Sequence, residues 1–283
     1  MERTEHIREL DHFIQIRKTK QEVIGIIPAG GKASRIAPLP CSKELYPVGF
    51  HSVHESGELR PKVVSHYLLE KMRSANITKV FIVLRDGKWD IPAYFGDGKM
   101  LDMHIAYLMM DLPYGVPYTL DQAYPFVQDA LVALGFPDII FKRKDAYAKL
   151  LAKQAETNAA IVLGLFPAHQ PQKTDMVDID ENGRVRSIDI KPDHSTLSYS
   201  WEIAVWNPVF TRYMHDYVLS RQNNCAELLK KKELFVGDII HSAIQENLHV
   251  ESVLFKDDCC LDIGSPEDLL RAVQTLSQCL KEF

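Results

Sequence analysis

Gly30, Gly31, Arg35 and Lys43 lie close together near the start of the chain, in residues 28–49 (PAGGKASRIAPLPCSKELYPVG). Gly30 and Gly31 follow an apolar run typical of a buried strand, and they allow a turn in which backbone approaches a ligand closely. Consecutive backbone N–H groups in such a turn form a concave anion site. Arg35 adds a forked donor and Lys43 a point charge, both suited to phosphate oxygens. The pattern is neither a Walker A loop nor GxGxxG. It indicates a polyphosphate-binding loop, and the alternative is an ordinary glycine turn with two solvated cations.

Two aspartates far apart in the sequence each follow an apolar segment. Asp138 lies in GFPDIIF, which we assign to a strand, and Asp262 precedes Gly264 near the C-terminus. Ligands of open α/β sheets bind at the carboxyl ends of strands. Mg²⁺ usually takes one or two carboxylates and completes its octahedron with water and phosphate oxygens. We therefore expect both aspartates at one magnesium site, although either residue alone is also typical of a helix cap or a turn.

Five segments in order resemble the signature motifs of the sugar-phosphate nucleotidylyltransferases, the superfamily of glucose-1-phosphate thymidylyltransferase and UTP–glucose-1-phosphate uridylyltransferase. They are AGGKASR with SKELYPV (29–48), YFGDG (94–98), FPD (136–138), DIKP (189–192) and LDIGSPEDLLRA (261–272). The resemblance extends over most of the chain, from residue 22 to residue 275. It implies a fold of the nucleotide-diphospho-sugar transferase type.

The resemblance also implies a reaction. An oxygen of an acceptor phosphate attacks the α-phosphorus of a nucleoside triphosphate in line, and pyrophosphate leaves. Because a phosphate dianion is already a nucleophile, catalysis consists of positioning and charge neutralisation. By resemblance, Arg35 contacts the leaving pyrophosphate, Lys43 the triphosphate and Lys191 the acceptor phosphate. Asp138 and Asp262 would hold Mg²⁺.

The chain departs from the family pattern where the nucleotide is bound. Asp121 replaces a small alanine, and Met109 or Met110 stands where a glutamine often reads the base. The residues that the resemblance assigns to nucleotide binding are Ala29, Gly30, Gly31, Met110, Thr119 and Asp121.

A second departure concerns the acceptor site, which is assigned to Lys191, Asp175 and Glu202. The two acids stand at or next to positions where glycines usually face the sugar. Near Tyr199 and Trp201 they would suit a cation, since carboxylates and aromatic faces both attract ammonium groups. One interpretation is family drift with the acids in solvent. The other is a pocket remade for a cationic acceptor.

Strands alternate with helices along most of the chain. We assign strands to EVIGIIP, KVFIVL, MHIAYLMM, GFPDIIF and AAIVLGLF, with helices after residue 62, at 121–134 and at 144–157. This alternation predicts a doubly wound, mostly parallel, Rossmann-like sheet in an α/β fold. TDMVDIDENGRVRSIDI predicts a small antiparallel flap around a type I′ turn at Asn182-Gly183. FHSVHESGELRP is interpreted as a loop insertion.

Composition sets the class of protein. The chain has 283 residues and a formal net charge of -5, which argues against a nucleic-acid binder. No apolar run approaches the ~20 residues that span a bilayer. The five cysteines include no CxxC pair, which favours a cytoplasmic location. We expect one domain over 21–283 and an amphipathic helical extension over 1–20, which can pack on that domain or in a homo-oligomer.

These observations predict a magnesium-dependent nucleotidyltransferase that couples a nucleoside triphosphate, dTTP or UTP first, to a sugar 1-phosphate. One alternative is a cytidylyltransferase for a cationic phosphorylated acceptor, such as a phosphocholine-like compound or an amino-sugar phosphate. Another is a regulatory homologue that binds nucleotide-sugars without catalysis.

Overall fold

A computed structural model of the chain describes residues 21–53, 58–110, 115–168, 170–222 and 233–279. The strands are β1 (Val23–Pro28), β2 (Pro47–Val53), β3 (Glu58–Val63), β4 (Lys79–Arg85), β5 (His104–Met110), β6 (Leu131–Gly135), β7 (Ile139–Ile140), β8 (Ile161–Pro167), β9 (Met176–Ile179), β10 (Val185–Asp189), β11 (Tyr199–Trp206), β12 (Val250–Leu254) and β13 (Leu261–Asp262). The helices are α1 (Val64–Ser74), α2 (Asp90–Phe95), α3 (Val116–Asp121), α4 (Tyr124–Val127), α5 (Ala146–Thr157), α6 (Pro208–Gln222), α7 (Val236–Gln245) and α8 (Pro266–Cys279). The helix expected over residues 1–20 lies outside the described residues.

Nine of the described strands form one mixed sheet, with β1 near its centre. The order is β10-β9-β11-β6-β1-β4-β5, and β8 pairs with β11 and β12. Strand β1 is parallel to β4 and β6, and β12 is parallel to β8. Only β10 and β11 run against the others. The predicted mostly parallel sheet is confirmed, and its antiparallel pairings bring β11 into the middle of the sheet.

Apolar side chains cover both faces of this sheet, as expected when parallel strands are buried on both sides. Helices α1, α2 and α5 contribute to the core on one face. Helices α3, α4, α6 and α7 contribute to the core on the other face. This doubly wound arrangement leaves the carboxyl ends of β1, β6 and β8 free to present loops. In the part of the chain that is described, no helix has the length and apolar character needed to cross a bilayer.

The boundaries predicted around Asp138 were wrong. The predicted helix over 121–134 is replaced by the short helices α3 and α4, and Leu131–Gly135 forms the fully buried strand β6. A strand buried on both faces has no polar alternation, so its ends are hidden in the sequence. Pro137 lacks an N–H for ladder pairing, and Asp138 therefore lies beyond the sheet strand, directly before β7.

Two other local predictions need correction. The flap exists as β9 and β10, but only Gly183 of the Asn-Gly pair has a positive φ, so the turn is not type I′. The Asp180 carboxylate accepts hydrogen bonds from the N–H groups of Asn182 and Arg184, which favours a wider turn. The segment interpreted as a loop insertion contributes to the antiparallel pair β2 and β3.

Candidate active site

An open cleft of about 710 Å³ lies at the carboxyl ends of β1, β6 and β8. Its volume falls within the range of ~300–1,000 Å³ common for small-molecule sites. The loop after β1 forms one wall, and the start of β11 with the start of α7 forms the opposite wall. The ribbon made of β7 and β13 closes one side. The position agrees with the rule that open α/β sheets bind ligands at strand carboxyl ends.

The β7–β13 ribbon brings Asp138 and Asp262 together. Asp262 pairs with Ile139, and the N–H of Ile263 donates to the backbone oxygen of Asp138 at 3.2 Å. Under the ribbon, Ile140 and Ile263 pack in a small apolar cluster with side chains of β2, α1 and α8. The sheet edge itself does not supply the second carboxylate. A short antiparallel contact between distant segments does so.

Lys43 forms an ion pair with Asp138. Burial acts to raise the pKa of Asp138, but this ammonium group outweighs it and holds the pKa below its ordinary value. The pKa of Asp262 is shifted in the opposite direction. Burial raises it most, and the negative charge of Asp138 raises it further. The N–H of Gly264 donates to Asp262 Oδ1 at 2.7 Å. The two carboxylates are thus close enough to interact, and one already has a cation.

Arg35 and the glycine turn meet the same part of the cleft. A Cβ atom added at Gly264 would lie 2.9 Å from an Arg35 guanidinium nitrogen, so the guanidinium lies against the backbone beside Asp262. A Cβ atom at Gly31 would lie 3.9 Å from Lys43 Nζ. Two cations, two carboxylates and a glycine turn therefore occupy one wall of the cleft, the arrangement needed for a metal-bound polyphosphate.

A buried ion pair supports Lys43 from behind, and the sequence alone did not reveal it. Glu44 Oε2 accepts from Lys88 Nζ at 2.6 Å, and both side chains are almost fully buried. The Ser65 hydroxyl donates to the Glu44 backbone oxygen at 2.7 Å. The short helical turn over Lys43–Leu45 is thereby fixed to α1 and to the segment between β4 and α2. The signal available in the sequence was the position of Glu44 directly after Lys43.

The residues predicted to bind nucleotide separate into two groups. Gly30, Gly31 and Thr119 line the cleft. Ala29 and Met110 are buried, and they are not among the described residues that line it. The Thr119 hydroxyl donates to Met110 Sδ at 2.9 Å, so Met110 contacts a residue of the cleft wall without lining the cleft itself.

Asp121 is not brought to the cleft. Its Oδ1 lies 2.8 Å from His215 Nδ1, whose ring stacks on Tyr124 at 3.7 Å between centroids. Thr119 and Asp121 are two positions apart on α3, so they point ~200° apart around the helix. The expected contact of Asp121 with nucleotide therefore has no geometric support. Asp121 instead contacts α6 through His215.

The opposite wall contains the three residues predicted to bind the acceptor. Lys191 has a left-handed backbone, with φ 42°, and its Nζ lies 3.6 Å from the centre of the Phe235 ring. Asp175 and Glu202 also line the cleft. The interpretation that places both acids in solvent is therefore wrong for Glu202, which is only 8% exposed.

Burial perturbs both acids. It raises the pKa of Asp175 to about 6, although the Lys191 charge and the Trp201 indole N–H act to lower it. It raises the pKa of Glu202 to about 8, opposed by a hydrogen bond of 2.7 Å from the Ser200 hydroxyl. The charges of Asp262, Asp175 and Asp138 raise the Glu202 pKa further. The Glu202 carboxyl group is therefore expected to hold its proton to a higher pH than an exposed glutamate does.

This raised pKa predicts a pH-dependent stability. A carboxyl whose pKa rises on folding keeps its proton in the folded state over a range where the unfolded chain has lost it, so stability falls with rising pH. For Glu202 the range runs from about 4.5 to about 8. Glu202→Gln cannot ionise, and we expect its Tm relative to wild type to increase steadily from pH 5 to pH 8 without metal.

Asp216→Asn is the matched control, because Asp216 is an exposed acid on α6. Its Tm should differ from that of wild type by the same amount at every pH. A constant difference for Glu202→Gln as well would show that Glu202 has an ordinary pKa.

Comparison with known proteins agrees with this geometry. A family model described as nucleotidyl transferase matches residues 24–278. The low-salt glycan biosynthesis nucleotidyltransferase Agl11 of Haloferax volcanii is 24% identical over 88% of this chain and 65% of its own length. Glucose-1-phosphate thymidylyltransferase of Neisseria meningitidis serogroup A is 25% identical over 92% of this chain and 88% of its own.

A solved structure also shares the fold. It is a Bacillus anthracis protein described as a candidate glucose-1-phosphate thymidylyltransferase, in complex with a sucrose. The TM-score is 0.74 at 20% identity, with 90% of this chain and 95% of that chain covered. The family match covers nearly the whole described region, including both walls of the cleft. The chain therefore belongs to the nucleotidyl transferase family.

Proposed function

We propose that this protein transfers a nucleotidyl group from a nucleoside triphosphate, with dTTP or UTP as the first candidates, to a sugar 1-phosphate. The products are a nucleoside diphosphate sugar and pyrophosphate. One observation supports the proposal above the others. Arg35, Lys43, Asp138 and Asp262 converge on one wall, and Lys191 faces them from the other. The names of the relatives, which include glucose-1-phosphate thymidylyltransferases, favour this acceptor class.

The chain's own cations define where each phosphate is held. The N–H groups of the glycine turn and the Arg35 guanidinium suit the departing β- and γ-phosphates. Lys43 is positioned to contact the triphosphate at the carboxylate pair. Lys191 holds the acceptor phosphate across the cleft, so that an acceptor oxygen faces the α-phosphorus. The new bond joins that oxygen to the α-phosphorus, and the bond to the β-phosphate oxygen breaks.

Mg²⁺ fits the remaining requirement. Asp138 and Asp262 supply hard oxygen donors, while the described residues contain no cluster of three or more ligand side chains that forms a complete metal cage. A cation held by two carboxylates and by substrate phosphates is the usual arrangement for Mg²⁺ at phosphate chemistry. When bound, such a cation would neutralise charge on the α-phosphate. Asp138 would then exchange its contact with Lys43 for one with the metal, which frees Lys43 for phosphate.

Pyrophosphate release tests the proposal. Each of five nucleoside triphosphates is combined with a panel of phosphorylated acceptors, with Mg²⁺ and with excess EDTA. We expect release with at least one pair, its loss in EDTA, and recovery when Mg²⁺ is restored. Asp262→Asn should require more Mg²⁺ for half-maximal rate, whereas Asp216→Asn should not. No release with any pair would contradict the proposal and favour a regulatory homologue that binds without catalysis.

A further inference from the structure

We propose that the acceptor carries a protonated amino group, as in an amino-sugar 1-phosphate, and that Asp175 and Glu202 bind that group. The inference rests on the proposed transfer to a sugar phosphate and names the class of sugar. It concerns the acceptor end of the cleft, defined here by Asp175, Lys191, Trp201, Glu202 and Phe235.

Asp175 lacks the partner that a buried carboxylate needs. Its Oδ1 is shielded from solvent and has no hydrogen-bond partner among the described residues. The start of α7 presses against it, because a Cβ atom at Gly237 would lie 2.4 Å from Asp175 Oδ2. The glycine therefore allows the helix to enclose the carboxyl group. Enclosing a charge without a partner is costly, so this site is completed by something that the described chain does not provide.

Glu202 lines the same end of the cleft and has few hydrogen bonds of its own. Ser200 donates to one oxygen, and no other hydrogen bond from the described residues reaches the carboxyl group. Glu202 also does not join Asp138 and Asp262 as a third metal ligand, since no such cluster exists among the described residues. Metal binding therefore does not account for this acid.

Lys191 does not act as the missing partner of either acid. Lys191 Nζ lies over the Phe235 ring, and no ion pair within 4.0 Å joins it to Asp175 or Glu202. Trp201 is 5% exposed, and its indole N–H faces Asp175 without completing a hydrogen bond of normal geometry. The acceptor end thus contains two acids, an aromatic wall, and an indole N–H that has no hydrogen-bond partner in the part of the chain that the structure describes.

A primary ammonium group matches these features. It carries a positive charge and three N–H donors, so it can donate to more than one carboxylate oxygen. A neutral hydroxyl donates a single hydrogen bond and leaves the charge unbalanced. A quaternary ammonium brings charge but no donor for Asp175 Oδ1. The amine takes no part in bond formation, so the acceptor phosphate remains the nucleophile.

Four acceptors test the inference with the best nucleotide and Mg²⁺. They are glucosamine 1-phosphate, N-acetylglucosamine 1-phosphate, glucose 1-phosphate and phosphocholine. We expect kcat/KM for glucosamine 1-phosphate to exceed that for glucose 1-phosphate by about tenfold or more, as for a charge-assisted hydrogen bond. Acetylation, which removes the charge but keeps the nitrogen, should abolish the advantage.

Two isosteric variants locate the effect. Asp175→Asn and Glu202→Gln should each lower the ratio of kcat/KM for glucosamine 1-phosphate to that for glucose 1-phosphate. Asp216→Asn should leave the ratio at its wild-type value. Thermal unfolding of each variant establishes that the protein is folded. Because the readout is a ratio of two kcat/KM values, a loss of activity that affects both acceptors equally leaves it unchanged.

The outcomes separate the two proposals. Glucose 1-phosphate as the best acceptor, with a ratio unchanged in both variants, overturns the amino-group inference and leaves the proposed function intact. Preference for phosphocholine over every sugar would contradict both the proposal that a primary amine is bound here and the proposal that the acceptor is a sugar phosphate. Absence of pyrophosphate release with every acceptor overturns the proposed function itself.

Discussion

Lys43→Ala and Arg35→Ala are each expected to reduce turnover by about 10²- to 10³-fold, the loss typical of removing one charge-stabilising donor. Both cations lie at the wall where the two aspartates meet. In the proposed reaction negative charge moves onto the pyrophosphate, and among the described residues Lys43 is the cation that forms an ion pair with Asp138. Lys43→Arg and Arg35→Lys should recover only part of the rate, since a planar fork and a point charge differ in geometry.

Stability should separate these two variants. Arg35 is exposed, so Arg35→Ala should unfold at nearly the wild-type temperature. Lys43 differs from Arg35, because its side chain is only 15% exposed and forms an ion pair with Asp138. Lys43→Ala leaves a buried carboxylate unpaired and should lower Tm, with partial recovery on adding Mg²⁺.

Steady-state pyrophosphate release and thermal unfolding measure the two effects. Lys99→Ala is the control, because Lys99 is an exposed cation between α2 and β5. It should change neither quantity. Near-normal turnover of either test variant would remove that residue from the mechanism.

Lys88→Met should lower the free energy of unfolding by about 3–5 kcal/mol, the cost of leaving one partner of a buried ion pair uncompensated. Lys88 and Glu44 are 5% and 2% exposed, and the distance between their charged atoms is 2.6 Å. Burial raises the pKa of Glu44 even with Lys88 present, so the carboxyl group tolerates little further loss of compensation. Loosening of the turn that holds Lys43 should also lower turnover.

Urea unfolding of wild type, Lys88→Met and the double variant Glu44→Leu/Lys88→Met isolates the ion pair. The double variant removes both charges and should be more stable than Lys88→Met, because no unpaired charge remains. If the single variant is as stable as wild type, the ion pair does not hold this region together. If both variants lose stability equally, packing of the Lys88 side chain explains the loss.

The sequence predicted the features that depend on local pattern. The order of strands and helices, the glycine turn and the cations at positions 35 and 43 follow from apolar runs and residue type. The resemblance pointed to Asp138 and Asp262, and the structure brings these two residues together. Their meeting point was not predicted in detail, since the β7–β13 pairing involves only two residues on each side and has no periodic pattern.

The remaining errors have physical causes. Asp121 was assigned by position in a motif, but helical rotation directs it to His215. The Glu44–Lys88 pair joins residues 44 positions apart, and neither residue carries a signal of its own burial. The enclosure of Asp175 depends on the approach of α7, in which Gly237 reports close packing only after the partner segment is known. Long-range contacts of single side chains are the information that pattern alone does not contain.

The pairing of β7 with β13 affects the order in which the parts of the cleft are completed during synthesis of the chain. All nine strands of the main sheet precede residue 255, whereas Asp262 and α8 follow it. A ribosome therefore completes the sheet and the glycine turn before it has added the second carboxylate. Proteolysis or premature termination after β12 would leave a chain that keeps Arg35, Lys43 and Asp138 but has lost Asp262. If the proposed function holds, such a chain is expected to bind triphosphate without turning it over, so the segment after β12 would be needed for catalysis and not for binding.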